Sequence, residues 1–581
     1  MRPSHAALLL VLLATPAVAQ TQSPDDAFKA LYTTEWTWRQ AQYSGNDNRD
    51  DAISPHLPDV SPKAEAARLA YWQNVERQLA AIDPKALSAD NQVNYAVYKG
   101  QIDALVADQV YREYEKPLNS DSTFWSDAAY GAQGSFRTED DYRHYLSQLS
   151  EMPRYFDQQI ANMRAGLKRH FTPPKVTLEG REVSLKTVID AKTEDNIFYR
   201  PFVTMPASIP ADVQAGLRAQ AAKAITEDVV PAHQKVLDFL TGDYVPHAQV
   251  SLAASDLPDG AAYYQSKIRE YTTLDLTPAQ IHQVGLEQVA QIHAQMLDVM
   301  KEVDFKGDFP AFLQFLRTDP RFYVTKPQDL LDRAAWTAKR FDGIAGQWFG
   351  HLPRSRFGIV PVPDDIAPFY TAGRGGTGVY LVNTYDLKSR PLYQLTALTL
   401  HESAPGHAFQ IPLAAENKNL PEFRQQTYIS AYGEGWALYC ERLGVEMGMY
   451  ETPYDRFGYL SYQMWRAARL VVDTGIHTMG WSREQARQYM RDNTALSEHE
   501  IDTEVDRYIS WPGQALSYYL GEMAIVGARE KAEAALGPKF NIRAFHDAVL
   551  AEGSVPLPVL AAHIDDFIAG GGIGPYPDEE K

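Results

Sequence analysis

The sequence is poor in cysteine, in positive charge and in long apolar runs. Its 581 residues include one cysteine, Cys440, so no intramolecular disulfide can form and stability has to come from a hydrophobic core. Lys and Arg total 55 against 74 Asp and Glu, which gives a formal net charge of −19. This balance disfavours nucleic acid and anionic membranes as partners. The apolar run at residues 6–14 is too short to span ~30 Å of hydrocarbon.

The first 19 residues are predicted to be a secretory signal peptide. Arg2 and His5 precede the apolar run, and the small-x-small pattern that ends at Ala19 is typical of a cleavage site, so the mature chain is expected to begin at Gln20. The residue directly after that site is Gln20 rather than cysteine, so the sequence predicts no lipid anchor, and the short apolar run predicts no membrane anchor. The expected location is the bacterial periplasm.

The rest of the chain has the composition of a large globular protein with a mainly α fold. Hydrophobic residues make up 45% and charged residues 22% of the sequence. Helical spacing of apolar residues recurs, as in Trp72, Val75 and Leu79. Thr277 to Gln280 is predicted to be a capping box that starts a helix. We divide the mature chain into an N-terminal helical region, 20–250, and a catalytic region, 251–581, and expect one continuous fold.

One segment of the catalytic region is predicted to be β. Residues 357–362 and 378–385 are rich in Val, Ile and Tyr, and the glycine-rich sequence 373–376 lies between them as a predicted turn. The pattern predicts a small hairpin or short sheet, either a structural flap or an edge that pairs with an extended peptide. Arg374 in the turn and Tyr380 in the second strand are candidate substrate contacts.

The segment from Leu400 to His407 has the residue types of a zinc-dependent hydrolase. In the common H-E-x-x-H form, two His at i and i+4 of one helix bind zinc and the Glu is the general base. Here His407 follows His401 by six residues, which is about 240° around an ideal helix. Pro405 and Gly406 lie within this interval and predict the break that would bring both rings to one ion. His401 and His407 are therefore predicted zinc ligands.

The predicted third ligand is Glu434, which lies 33 residues after His401 on a second helix. Glu441 is seven residues further on and about 10 Å along the helix axis, too far to bind the same ion easily. Glu441 is expected to orient a His ligand through its other ring nitrogen, although a plain surface carboxylate is the alternative. Cys440 is interpreted as a packing residue rather than a nucleophile.

These motifs resemble a known family. The pattern His-Glu-x-x-Pro-Gly-His-x-x-Gln at 401–410, followed by Glu-Gly-Trp-x-x-Tyr-x-Glu at 434–441, is similar to the bacterial DUF885 proteins, regarded as relatives of HExxH-type metallopeptidases. Further similar segments are 257–264, 272–285, 379–384, 466–481 and 512–521. The resemblance implies a helical, cleft-bearing zinc hydrolase acting on peptide-like amides. Relatives often have a second His after the last one, whereas this chain has Ala408.

The predicted reaction is peptide hydrolysis by a zinc-activated water. Zn²⁺ held by His401, His407 and Glu434 would lower the pKa of a water to about 7, and Glu402 would act as general base. Tyr518, with Gln514 one turn earlier, is the first candidate for oxyanion stabilisation, and His477 is the second.

Two other functions remain compatible with the sequence. The same residues could hydrolyse non-peptide or cell-wall-derived amides. Alternatively, the chain could be a helical binding protein with a degenerate metal site, which would have no need of a general base at Glu402.

Overall fold

The computed structural model of the protein describes residues 23–43, 53–120, 122–363 and 367–577, so the predicted signal peptide lies outside the described residues. The predicted mainly α fold with a small sheet is confirmed. No helix in these ranges is both long enough and apolar enough to cross a membrane.

Helices form most of the chain from end to end. Those of the N-terminal region are α1 (Pro24–Gln42), α2 (Pro62–Ala80), α3 (Ala89–Tyr111), α4 (Phe124–Tyr130), α5 (Glu139–Arg169), α6 (Glu182–Asp190), α7 (Arg200–Val203), α8 (Ala211–Ala224), α9 (Val230–Phe239) and α10 (Val245–His247). Those that follow are α11 (Gly260–Thr272), α12 (Pro278–Glu302), α13 (Phe309–Thr318), α14 (Pro327–Trp348), α15 (Leu392–Glu402), α16 (His407–Glu416), α17 (Glu422–Gln425), α18 (Ser430–Glu446), α19 (Pro453–Thr478), α20 (Arg483–Asn493), α21 (Glu498–Ser510), α22 (Ser517–Leu536), α23 (Ile542–Ala551) and α24 (Leu557–Ala569).

The predicted start of α12 is confirmed in detail. Thr277 and Gln280 form a reciprocal capping box, which satisfies backbone N–H groups that have no partner inside the helix. The apolar face that begins at Ile281 is buried and packs on α19, where Gly285 lies directly against Leu470 and Val471. Local sequence therefore determines where this helix begins and which face it buries.

Buried apolar side chains of the described residues form separate clusters. Helices α15 and α18, which contain the His-Glu and Glu-Gly-Trp motifs, lie between two of these clusters. One cluster joins α1–α3 to α16, α18 and α22–α24. Another is built on α11–α15 and α19–α22, while α4–α9 bury a core of their own. Leu398 of α15 belongs to the second cluster and Leu400 to the first. Because α15 and α18 have apolar neighbours on both sides, their polar residues face each other in a largely buried setting.

The predicted short sheet is present, but it is not a hairpin. Its strands are β1 (Gly358–Pro361), β2 (Gly373–Gly376) and β3 (Val379–Val382), in the order β1-β3-β2. The two predicted strands pair in parallel, with Ile359 opposite Tyr380. The glycine-rich segment, predicted to be a turn, is instead a strand that runs antiparallel to β3. Glycine is needed in β2 because a Cβ at Gly375 would lie 1.6 Å from the Glu402 carbonyl oxygen.

Candidate metal centre

The predicted break between His401 and His407 is present. Helix α15 ends at Glu402 and α16 begins at His407, so the two residues belong to different helices. A Cβ at Gly406 would lie 1.8 Å from the carbonyl oxygen of His401. Only glycine allows the chain to turn back this tightly over the end of α15. The result is that the two imidazoles approach, with ring centroids 4.9 Å apart.

Glu434 reaches the two imidazoles from α18. Its Oε2 lies 3.4 Å from His401 Nε2 and 3.4 Å from His407 Nε2. Ligand atoms about 2.0–2.2 Å from a tetrahedral zinc ion are separated by roughly 3.3–3.5 Å. The two measured distances have this length, so His401, His407 and Glu434 fit the protein ligand set of a catalytic zinc site.

A second carboxylate, that of Glu402, lies close enough to compete for the same ion. Ligand atoms of His401, Glu402 and His407 lie within 4.8 Å of one another. Glu402 Oε2, however, accepts a hydrogen bond of 2.6 Å from the backbone N–H of Gly375 in β2. Since Glu434 Oε2 is equidistant from both Nε2 atoms and Glu402 is held by the strand, Glu434 is the better placed of the two to be a metal ligand.

Charge at the site favours a cation. Burial by itself lowers the pKa of His401, but hydrogen bonds with Glu434 and Glu441 outweigh it and raise that pKa to about 9. Burial raises the pKa of Glu434, but the two histidines more than reverse this and hold it well below its usual range. The carboxylates of Glu434 and Glu441 therefore stabilise a positive charge placed between them. A divalent ion would provide that charge in place of a proton.

Glu441 makes the predicted contact with a His ligand. Its Oε1 lies 2.7 Å from His401 Nδ1, and both side chains are buried. When an ion replaces the proton on Nε2, an Nδ1–H that donates to Glu441 fixes the tautomer that a metal ligand requires. Burial raises the pKa of the neighbouring Cys440 thiol well above its usual value, as expected for a packing residue rather than a nucleophile.

The site lies on the wall of a large cleft with a volume of about 1370 Å³. Its lining includes the metal-site residues together with Arg374, Gln514 and Tyr518. Arg374 is exposed on β2 and its guanidinium lies over the ring of Tyr370. Arg374 and the candidate metal centre therefore face the same cleft.

Tyr518 and Gln514 occupy one cluster in the cleft, as predicted from their spacing. The Tyr518 hydroxyl accepts hydrogen bonds from Arg507 Nη2 at 3.2 Å and from Gln514 Nε2 at 3.4 Å. Arg507 Nη2 also donates to Gln514 Oε1 at 3.0 Å. Because its oxygen accepts both bonds, the O–H of Tyr518 is left to donate to a further acceptor in the cleft.

The structure contradicts two of the predicted site residues. His477 is completely buried: its Nδ1 accepts from the backbone N–H of Ala254 and its Nε2 lies 2.9 Å from the carbonyl of Tyr508. Burial lowers its pKa to about 4, and with both ring nitrogens used by the backbone it is a structural residue. Tyr380 is also wrong as a substrate contact, since its ring is fully buried and its hydroxyl lies 3.5 Å from Thr399 Oγ1.

Sequence analysis missed Tyr428. This residue lies just before α18 and donates a hydrogen bond of 3.1 Å to Glu434 Oε1, so it holds the oxygen that does not face the histidines. It is 47% exposed and lines the cleft. Its position six residues before Glu434 in a connecting segment provides no periodic signal by which the sequence could identify it.

The comparisons with known proteins agree with the fold. A solved structure from Colwellia psychrerythraea and one from Shewanella oneidensis, each described as a "putative lipoprotein", resemble the chain. The first has a TM-score of 0.87 at 27% identity, and the match covers 94% of this chain and 100% of that structure. The second has a TM-score of 0.66 at 18% identity, and the match covers 93% of this chain and 99% of that structure. At this identity the likeness concerns the fold alone.

No curated protein matches the chain significantly. The sequence model of a family described as "Bacterial protein of unknown function (DUF885)" matches residues 39–564. Since this match covers most of the sequence, the chain belongs to the DUF885 family.

Proposed function

We propose that the protein is a zinc-dependent peptidase related to the HExxH-type metallopeptidases. The observation that supports this most is the position of Glu434 Oε2, 3.4 Å from the Nε2 atoms of both His401 and His407. Both distances match the separation of two ligand atoms in a tetrahedral zinc shell, which supports Glu434 as the third ligand. The large cleft beside them leaves an open side for substrate.

The side chains around the site have complementary roles in the proposed reaction. A zinc ion held by His401, His407 and Glu434 would polarise a carbonyl group and lower the pKa of a water to about 7. Glu402 would accept the proton of the attacking water and pass it to the leaving nitrogen. Its carboxylate is kept in place by the Gly375 N–H. Tyr518 would donate to the developing oxyanion.

We also infer that the protein works outside the cytoplasm, in the bacterial envelope or periplasm. The N-terminal 19 residues have the pattern of a secretory signal peptide. The similar structure from Colwellia psychrerythraea is described as a "putative lipoprotein", which is consistent with export. The lone cysteine is buried, so the fold has no disulfide to gain from an oxidising compartment.

Purified mature protein is expected to hold close to one zinc ion per chain. Metal analysis after dialysis against zinc-supplemented buffer measures this directly, and a chelator should abolish the peptide cleavage that a peptide-library digest detects by mass spectrometry. Readdition of zinc should restore it. If the zinc-supplemented protein contains no metal, the proposed centre does not exist.

Tyr518→Phe is expected to lower kcat by about 10 to 10³-fold with little change in KM, because it removes one donor to the oxyanion. The matched control is Tyr519→Phe, since the adjacent Tyr519 donates to Gln288 at 3.0 Å and should keep the wild-type rate. If Tyr428→Phe loses the rate while Tyr518→Phe retains it, the oxyanion donor is Tyr428 instead.

A further inference from the structure

Aromatic and arginine side chains alternate along one wall of the cleft. The Arg466 guanidinium carbon lies 4.5 Å from the ring centre of Tyr462 and 4.1 Å from that of Trp465. The Arg469 guanidinium carbon lies 4.5 Å from the ring centre of Trp465 and 4.3 Å from that of Tyr518. We call this stack the arginine ladder; in order, it consists of Tyr462, Arg466, Trp465, Arg469 and Tyr518, all of which line the cleft.

The ladder follows from the spacing of one helix. Tyr462, Trp465, Arg466 and Arg469 are at positions i, i+3, i+4 and i+7 of α19 and so share a face. Tyr518 completes the stack from α22. Because rings cover the flat faces of both guanidinium groups, their N–H edges are the parts left to bind a partner.

Two of those N–H groups have no acceptor among the residues that the structure describes. Arg466 Nε and Arg469 Nη1 are buried and make no hydrogen bond. The two residues are only 4% and 2% exposed, so water does not readily replace the missing acceptors. A buried charged donor without an acceptor is costly. A ligand that supplies acceptors at this wall would remove that cost.

The carboxylates near the ladder do not neutralise it. Glu504 is shared between Arg469, at 2.7 Å, and Arg507, at 3.6 Å. Glu441 lies 3.6 Å from Arg466 Nη2, but it is already bonded to His401. Three arginines, Arg466, Arg469 and Arg507, therefore share two carboxylates on this wall, whereas Glu402 and Glu434 make the candidate metal centre acidic.

We propose that the arginine ladder is a subsite for a carboxylate group of the substrate, which rests on the proposed peptidase function. Arginine forks match planar carboxylates with paired, charge-assisted hydrogen bonds. Since Arg466 and His401 share Glu441, a carboxylate bound at the ladder belongs to a residue close to the scissile bond. Its source is either the C-terminal carboxylate, which would make the enzyme cleave near peptide C-termini, or an acidic side chain.

Binding to an inactive chain tests the subsite separately from catalysis. Zinc-loaded Glu402→Gln protein is titrated by calorimetry with N-acetylated hexaalanine as the free acid, as the C-terminal amide, and as the amide with one internal Glu. The free acid, the Glu peptide or both should bind about 10 to 100-fold more tightly than the plain amide. Whichever carboxylate-bearing peptide is preferred identifies the source.

Substitutions in the ladder assign that preference to its arginines. Arg466→Lys and Arg469→Lys keep the charge near Glu441 and Glu504 but lose the planar fork, so each should reduce the preference at least severalfold. The control is Arg269→Lys, because Arg269 also lines the cleft but pairs with Asp275 and is exposed. Arg269→Lys should retain the preference.

The outcomes separate the two proposals. Equal binding of all three peptides, or no binding of any, by a chain that holds zinc would overturn the carboxylate subsite and leave the zinc centre intact. A preference that survives in both lysine variants would also overturn it. A chain that prefers carboxylates but holds no zinc would support the subsite and refute the peptidase. The peptide comparison needs no change in the ladder, so a misfolded variant would not prevent it.

Discussion

Replacing Glu402 by Gln is expected to reduce kcat by about 10² to 10⁴-fold while zinc content and KM stay near wild type. The amide has the shape of the carboxylate, and its oxygen can still accept the Gly375 N–H that holds the side chain in place. It cannot accept the proton of an attacking water. Steady-state kinetics on a peptide identified by library digestion, together with metal analysis of the same sample, measure both quantities.

The matched control for this change is Glu416→Gln. Glu416 also binds backbone N–H groups, those of Arg354 and Ser355, but it lies at the end of α16, and its substitution should preserve turnover. Wild-type turnover in Glu402→Gln would eliminate Glu402 as the general base and with it the proposed mechanism. Loss of zinc from this variant would instead make Glu402 a ligand, as its proximity to both histidines allows.

Replacing Glu434 by Ala is expected to remove most of the bound zinc and with it all measurable activity. The change deletes the oxygen that lies 3.4 Å from both imidazoles. His407→Ala should have the same effect. Glu441→Ala should weaken zinc affinity by only about 10 to 100-fold, because Glu441 acts through His401 and not on the metal itself. Competition with a chromogenic chelator measures the affinities.

Glu446→Ala provides the control for these variants. Glu446 belongs to the same helix, α18, but its carboxylate pairs with Arg529 at the surface, so zinc affinity should not change. Glu441→Gln should recover part of the loss in Glu441→Ala, since its amide oxygen can accept from His401 Nδ1. Complete loss of zinc in Glu441→Ala with retention in Glu434→Ala would exchange the two roles.

The grouping of the candidate metal ligands was predictable largely from sequence because its determinants are local. The interval between His401 and His407 is incompatible with one helix, and Pro405 and Gly406 indicate where the helix has to end. The return of Glu434 and Glu441 on a second helix also followed from their spacing. Helix length and capping depend on neighbouring residues, which explains why the start of α12 at Thr277 was confirmed.

The sheet shows where local reasoning is insufficient. Glycines at 373–376 are typical of a turn, and nothing nearby in the sequence indicates that they form a strand. They do so because β2 packs against the backbone of Glu402, which a side chain at Gly375 would prevent. The constraint comes from Glu402, which is 27 residues away in the sequence. The hydrogen bond from Gly375 also holds the side chain of Glu402, the proposed general base.

The sequence by itself determined the mainly α fold, the helix break and the residue types of the metal centre, because periodicity, caps and breakers act over a few residues. Only the tertiary structure decided which polar groups share one cleft. It buried His477 and Tyr380 away from the centre and brought Tyr428 to Glu434. It also stacked Arg469 on Tyr518. These pairings depend on how distant helices pack, and packing is decided by the whole core rather than by any segment.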